Sequence, residues 1–352
     1  MHFWAGFLCP QGRRVRFSRI RLGCRAKLTI LLVALALLSL LVLFNLWQTR
    51  RIERRFPPTG AFIDLPGGRL HYTKLSPVQE PRANVLLLHG ASGNQADMIA
   101  ALGPQLVAAG YQVIAIDRPG HGWSDRFSAL VAASPSGQAA LIHAALAKIG
   151  ITRSIVAGFS WSGALANTFA LQHRDFTQGL VLLAPATHPW PGGKVNWYYA
   201  PAAKRILGEI FCRLLVMPVG LMTFARNVAH VFLPNEIPQD YIARANASLI
   251  LRTREFKANA QDMVGLYDYV CEQSQKLHEI AVPTAILTGD RDQIVYADIH
   301  SYNCARAIPG ATLKVLPGVG HSVHYAAPDA VLEAIADVFA KSRGAGELAL
   351  AL

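Results

Sequence analysis

From Asn84 to about Ser342 the chain keeps switching between two kinds of apolar pattern, and that switching leaves few folds open. NVLLLHG (84–90), YQVIAID (111–117), SIVAG (154–158), GLVLLAPA (179–186), PTAILTGD (283–290) and ATLKVLPG (311–318) are short, nearly continuous apolar runs. Such runs suit strands buried on both faces. Between them, residues 97–109, 137–150, 164–173 and 328–342 carry helical patterns. This alternation predicts a mostly parallel sheet wrapped by helices. After the Pro57-Pro58 break, AFIDLPGGRLHYTKL (61–75) adds two alternating runs around Gly67-Gly68, a hairpin signal that brings the expected strands to eight.

Between Thr187 and about Ile280 the alternation stops. That stretch reads as helical and holds Trp190, Trp197, Tyr198, Tyr199, Phe211, Met217, Met222, Phe224 and Phe232. Inserted in mid-sheet, it predicts a helical cap. The expected organisation is a basic segment (1–27), an apolar span (28–47), a basic linker (48–58), a core from 59–186 and 281–342, a cap (187–280) and a tail (343–352).

Composition matters at the N-terminus. Hydrophobic residues make up 52% of the chain and charged ones 16%. The apolar excess has an address: LTILLVALALLSLLVLFNLW, Leu28 to Trp47, carries no charge. As a helix it is about 30 Å long, the thickness of a bilayer's hydrocarbon layer. A cleavable signal is shorter and leads into small residues, whereas Trp47 leads into Gln48-Thr49-Arg50-Arg51. A retained single-pass anchor is therefore expected. Net charge is equally local. Residues 1–55 hold eleven Lys/Arg and the lone acid Glu53, and the rest of the chain holds 23 bases and 21 acids. That leaves no basic stripe for nucleic acid and reads as attraction to anionic lipid. Arg13, Arg14, Arg16, Arg19, Arg21, Arg25 and Lys27 precede the span, and Arg50, Arg51, Arg54 and Arg55 follow it. The bias favours a cytoplasmic N-terminus with the folded domain on the far side.

Cys9, Cys24, Cys212, Cys271 and Cys304 show neither C-x-x-C pairing nor metal-ligand spacing. Isolated thiols are expected, with a Cys212–Cys271 bridge open if the domain is extracytoplasmic. The chain has no P-loop and no dinucleotide fingerprint.

GFSWSG (158–163) puts Ser160 on a strand–turn–helix junction. Such a turn needs small neighbours because its backbone is strained and packed close to a strand. Gly158 supplies one. Ser162 stands where a second glycine is expected, and Gly163 follows. Alone, the stretch reads equally as a serine opening a helix. Two further sites change the balance. Gly289-Asp290-Arg291-Asp292 follows one predicted strand, and Gly318-Val319-Gly320-His321 follows the next. Parallel strands bring their C-terminal ends to one edge, so Ser160, a carboxylate and His321 arrive there in chain order. An imidazole there takes a serine's proton, and a carboxylate fixes its tautomer. His89 and His121 precede Ser160 and read as loop braces, and His324 as a buttress for the His321 loop.

These blocks resemble the α/β-hydrolase superfamily over about Ala61 to Ala340. LLLHGASGN resembles its oxyanion strand-loop, and DRPGHGWSD (117–125) its D-x-x-G-x-G-x-S block. GFSWSG is similar to its nucleophile elbow, TGDRDQIV to its acid turn and GVGHSVHYAAPDAV to its histidine loop; Ser162 for Gly is the one departure. The resemblance implies an α/β-hydrolase fold with a mostly parallel eight-stranded sheet flanked by helices and an inserted cap. It implies Ser160 as nucleophile, His321 as base, Asp292 as acid with Asp290 the second choice, and the N–H groups of Ala91 and Trp161 as oxyanion donors. The activity expected is that of a carboxylesterase or lipase-like serine hydrolase on small, uncharged, apolar esters, with no cofactor, metal or obligate protein partner. Serine at this place sets aside the branch that uses aspartate. C–C bond hydrolysis and cofactor-free peroxidation on the same triad stay open, as does a non-catalytic ligand-binding or sensor homologue.

Overall fold

The computed structural model describes residues 24–350. The bases Arg13 to Arg21, Cys9 and the last two residues lie outside it, as do the side chains of Cys24, Ala129, Leu130 and residues 345–350.

Eight strands form one sheet in the order β1-β2-β4-β3-β5-β6-β7-β8. They are β1 (Ala61–Leu65), β2 (Gly68–Leu75), β3 (Asn84–Leu88), β4 (Gln112–Ile116), β5 (Ser154–Phe159), β6 (Thr177–Leu183), β7 (Thr284–Gly289) and β8 (Thr312–Leu316). β2 runs antiparallel to both its neighbours, β1 and β4, and the pairs from β4 across to β8 are parallel. Successive strand residues point to opposite faces, so one short run feeds two cores. In β3, Leu86 and Leu88 join one buried cluster with Ile142, Leu146 and Phe169, while Val85 and Leu87 join another with Met98, Leu106 and Ile335. This is why the strands read as continuous apolar runs.

The N-terminal helix α1 spans Cys24–Arg55. Around the sheet lie α2 (Gln95–Ala108), α3 (Ala129–Ala132), α4 (Pro135–Lys148) and α5 (Ser162–Gln172). Between β6 and β7 come α6 (Tyr199–Ala203), α7 (Leu207–Phe211), a π-helical turn at Cys212–Val216, α8 (Met217–Phe232), α9 (Tyr241–Arg244) and α10 (Thr253–Gln273). The chain closes with α11 (Ser301–Ala307), α12 (Val323–Ala326) and α13 (Pro328–Leu350). Local chemistry sets several starts. Asn94 Oδ1 accepts from the Ala96 N–H at the start of α2, and Ser134 Oγ accepts from the Gly137 N–H, with Pro135 in the first turn of α4.

Two boundaries depart from expectation. The expected linker 48–58 is helical as far as Arg55, because QTRRIERR contains no breaker before Pro57 and Ile52 and Phe56 have a surface to bury against. The expected tail continues α13 to Leu350. Cys212 and Cys271 are free thiols, not a bridge. Among the described residues, two stretches are long and apolar enough to cross a membrane, Arg25–Arg55 and Leu207–Phe232.

Candidate active site

The site is assembled at the C-terminal ends of β3, β5, β7 and β8. Ser160 sits between β5 and α5 with φ +53°, a left-handed conformation that costs a non-glycine residue energy. The surroundings over-determine it. The Ser160 N–H donates to Leu183 O at 2.9 Å, and Ser160 O accepts from the N–H groups of Gly163 at 2.8 Å and Ala186 at 2.9 Å. A Cβ on Gly158 would lie 2.3 Å from Ser162 O, and one on Gly163 would lie 2.4 Å from Pro185 Cβ, so both must be glycine.

Ser160 Oγ lies 3.0 Å from His321 Nε2, and His321 Nδ1 lies 2.8 Å from Asp292 Oδ2. All three residues are buried. Asp292 Oδ1 accepts from the N–H groups of Ile294 at 2.8 Å and Val295 at 3.0 Å, which turns Oδ2 toward the imidazole. Asp290 is exposed and accepts instead from the Gly318 N–H at 2.7 Å, pinning the loop that carries His321. The structure thus brings Ser160, His321 and Asp292 together and leaves Asp290 outside. Such a chain can carry a proton from a hydroxyl to an imidazole whose far nitrogen is held by a carboxylate.

Ala91 follows β3 and Trp161 follows Ser160. Among the described residues neither backbone N–H donates to a protein acceptor. His89 anchors this loop as a neutral ring. Its Nδ1–H donates to Gly90 O at 2.8 Å and its Nε2 accepts from the Arg118 N–H at 3.0 Å. Burial, with the Arg118 guanidinium beside it, pushes its pKa well below the ordinary imidazole value. Burial and Arg118 do the same to His121. Ser162 Oγ donates to His89 O at 2.5 Å, tying the turn to the loop. His324 faces Asp97 at 3.4 Å across the Phe159 ring from His321.

Sequence reasoning missed the centre of this bracing. Arg118 is fully buried and donates to His89 O and Gly90 O, each at 3.2 Å, while its guanidinium stacks 4.0 Å over the Trp161 ring. Asp262, on α10, neutralises it at 2.7 Å and holds Arg126 at 2.8 Å. Nearby on α10, Asn259 Oδ1 accepts from the Ser92 N–H at 2.7 Å. Arg118 was visible within DRPGHG. Asp262 and Asn259 carry no sequence signal, because their partners lie more than a hundred residues away.

Comparisons agree with this architecture. A family model described as alpha/beta hydrolase fold matches residues 83–328. The chain is 25% identical over 247 residues to monoacylglycerol lipase abhd6-A of Xenopus laevis, covering 69% of this chain and 71% of that one. It is 28% identical over 257 residues to 2-hydroxy-6-oxo-6-phenylhexa-2,4-dienoate hydrolase of Burkholderia cepacia, covering 70% and 84%. The esterase EaEST from Exiguobacterium antarcticum superposes with a TM-score of 0.61 at 21% identity, over 80% of this chain and 99% of that one. The chain belongs to the alpha/beta hydrolase fold family.

Proposed function

We propose that this protein is a membrane-anchored serine hydrolase that cleaves uncharged, apolar carboxylic esters through an acyl-enzyme on Ser160. The observation that carries the reading is the 3.0 Å and 2.8 Å sequence Ser160–His321–Asp292 on a strained, glycine-flanked turn. Ser160 Oγ attacks the ester carbonyl while His321 Nε2 takes its proton, and Asp292 holds the imidazolium that forms. The N–H groups of Ala91 and Trp161 receive the oxyanion, each such donor being worth about 3 kcal/mol in comparable sites. His321 returns its proton to the departing alkoxide, then draws one from water, whose oxygen attacks the acyl carbon and frees the acid and Ser160.

The electrostatics favour an uncharged substrate. The buried cation beside the loop, Arg118, is already paired with Asp262. An aromatic and methionine-rich segment over the sheet edge favours an apolar acyl or aromatic group. The relative named monoacylglycerol lipase supports an ester. The relative named as a 2-hydroxy-6-oxo-6-phenylhexa-2,4-dienoate hydrolase favours a second reading, C–C bond hydrolysis on the same residues. Helix α1 serves as the anchor, with the hydrolase across the membrane from a cytoplasmic N-terminus, as seven bases before the span against four after it favour.

The test uses the full chain in detergent micelles with p-nitrophenyl esters from acetate to palmitate and with 2-hydroxy-6-oxo-6-phenylhexa-2,4-dienoate. Ester turnover that depends on chain length and falls by about a thousandfold or more in Ser160→Ala is expected. Turnover of the dienoate alone would favour the second reading. Ester turnover unchanged in Ser160→Ala would overturn both.

A further inference from the structure

The segment between β6 and β7 carries an outward apolar row that the sheet and its helices do not cover. Leu207, Ile210, Leu215, Val219 and Met222 recur at intervals of three to five residues, and all are exposed, Met222 to 86%. The opposite side is buried: Cys212 and Val216 pack with Tyr199 and Ala260, and Met217 with Leu249 and Leu251. This helical stretch is apolar on both sides, the side that should face water included. A soluble surface seldom sets so many large apolar side chains in one row.

The end of α1 fixes where that row stands. Ile52 and Phe56 bury against Met217, Leu249 and Leu251, and Glu53 pairs with Arg252 at 3.3 Å. Asn45 lies inside the apolar run 28–47, yet it is only 4% exposed and its Oδ1 accepts from Thr253 Oγ1 at 3.3 Å. At 1.5 Å per residue it sits about 3 Å inward of Trp47. The segment therefore meets α1 at the depth where an anchor enters lipid, with no spacer between them. Upstream, Leu28 to Leu40 remain largely exposed.

Charge points the same way. From residue 194 to 230 the chain holds Lys194, Lys204, Arg205, Arg213 and Arg226 against one acid, Glu209. That acid is already held by Arg213 at 2.8 Å and Lys257 at 2.9 Å. An apolar row with basic flanks is the pattern of a helix lying in a bilayer's interfacial layer.

We propose that the row Leu207–Met222 is a second membrane contact, lying in the interfacial layer of the leaflet from which α1 emerges, with its basic flanks on anionic headgroups. This rests on the reading of α1 as an anchor and not on the chemistry of Ser160. It holds the residues over the sheet edge against lipid, so that an acyl substrate in that leaflet meets them without first crossing bulk water.

The test places the full chain in vesicles of phosphatidylcholine with about one-fifth phosphatidylglycerol, doped with a lipid bearing a diazirine on its acyl chain. After illumination, labelled peptides are mapped by mass spectrometry. Peptides from 28–43 and from 207–222 should both be labelled, each about tenfold above the peptide holding Val78, a fully exposed loop residue of the hydrolase part. Paired Val219→Asp and Met222→Asp should lower labelling at 207–222 about tenfold, with labelling of 28–43 and the Tm unchanged. Labelling of 28–43 with 207–222 at the Val78 level would overturn the second contact and leave the anchor standing. Absence of label from both stretches would overturn both readings. Cross-links from 207–222 to a second copy of the chain, in place of lipid, would overturn the proposal in favour of a dimer interface.

Discussion

Ser162 Oγ donates a 2.5 Å hydrogen bond to the carbonyl oxygen of His89, joining the turn that carries Ser160 to the loop that carries Ala91. The residue that stands in place of a glycine is therefore a clamp between the two halves of the proposed oxyanion site. It is fully buried, and the same carbonyl also accepts from Arg118 Nε at 3.2 Å. Removing the hydroxyl thus leaves no orphaned acceptor. Ser162→Ala should cost about 1 kcal/mol, the net worth of one hydrogen bond, and lower the Tm by about 2–4 °C. Ser162→Gly should cost about 1 kcal/mol more through added backbone freedom. Both should lower kcat for ester turnover more than they raise KM. Thermal denaturation and steady-state kinetics on the two variants check this.

The carboxylates of the β7 turn should separate cleanly. Asp292→Asn keeps the shape but removes the charge facing His321 Nδ1 at 2.8 Å, and a loss of about 10³–10⁴ in kcat/KM is expected. Asp290→Asn lies at the surface and should change kcat/KM by less than about threefold, with a small loss of stability from the weakened bond to Gly318. Equal losses in the two variants would mean that the loop, and not the charge, is what matters.

Asp262→Ala leaves Arg118 and Arg126 without their shared counterion. Stranding a buried charge typically costs about 3–5 kcal/mol. The urea midpoint should fall accordingly, and further than for Glu333→Ala, whose partner Lys314 is exposed.

Stability should fall on mild acidification. His89 and His121 are held neutral by burial and by Arg118, and burial, then His188, pushes His300 down to about 4. In the unfolded chain each titrates near 6.5. Between pH 6.5 and the lower folded values, the unfolded state binds the extra protons. The contribution is therefore fully present above about pH 6.5 and lost as pH falls through that window, by up to about 1.4 kcal/mol per pH unit for each histidine. Denaturation curves from pH 7.5 to 5 check the sign, and replacing His300 with Asn should flatten the slope.

The sheet was legible because its strands are buried on two faces, so runs such as NVLLL announce themselves without any long-range information. The placement of Ser160 and His321 at one sheet edge was legible for a related reason: each follows the C-terminal end of a strand, and parallel strands gather those ends at one edge. Asp290 and Asp292 were both open from the residues alone, and only the family resemblance put Asp292 first; in the structure the N–H groups of Ile294 and Val295 aim Asp292 at His321. Asp262 and Asn259 were not legible. Their function is to meet Arg118 and Ser92, and nothing in α10 announces those partners. The helical continuation to Arg55 was missed because charge alone marked a linker, while Ile52 and Phe56 had a burial surface that no local pattern could show.

The most direct single measurement is the mass of the intact protein quenched during the first turnovers of a p-nitrophenyl ester, with the modified peptide then identified. An increase equal to one acyl group, carried on the peptide containing Ser160 and absent from Ser160→Ala, is the expected result. Turnover without any acylated protein, or an acyl group on another residue, would contradict the assignment of Ser160 as nucleophile.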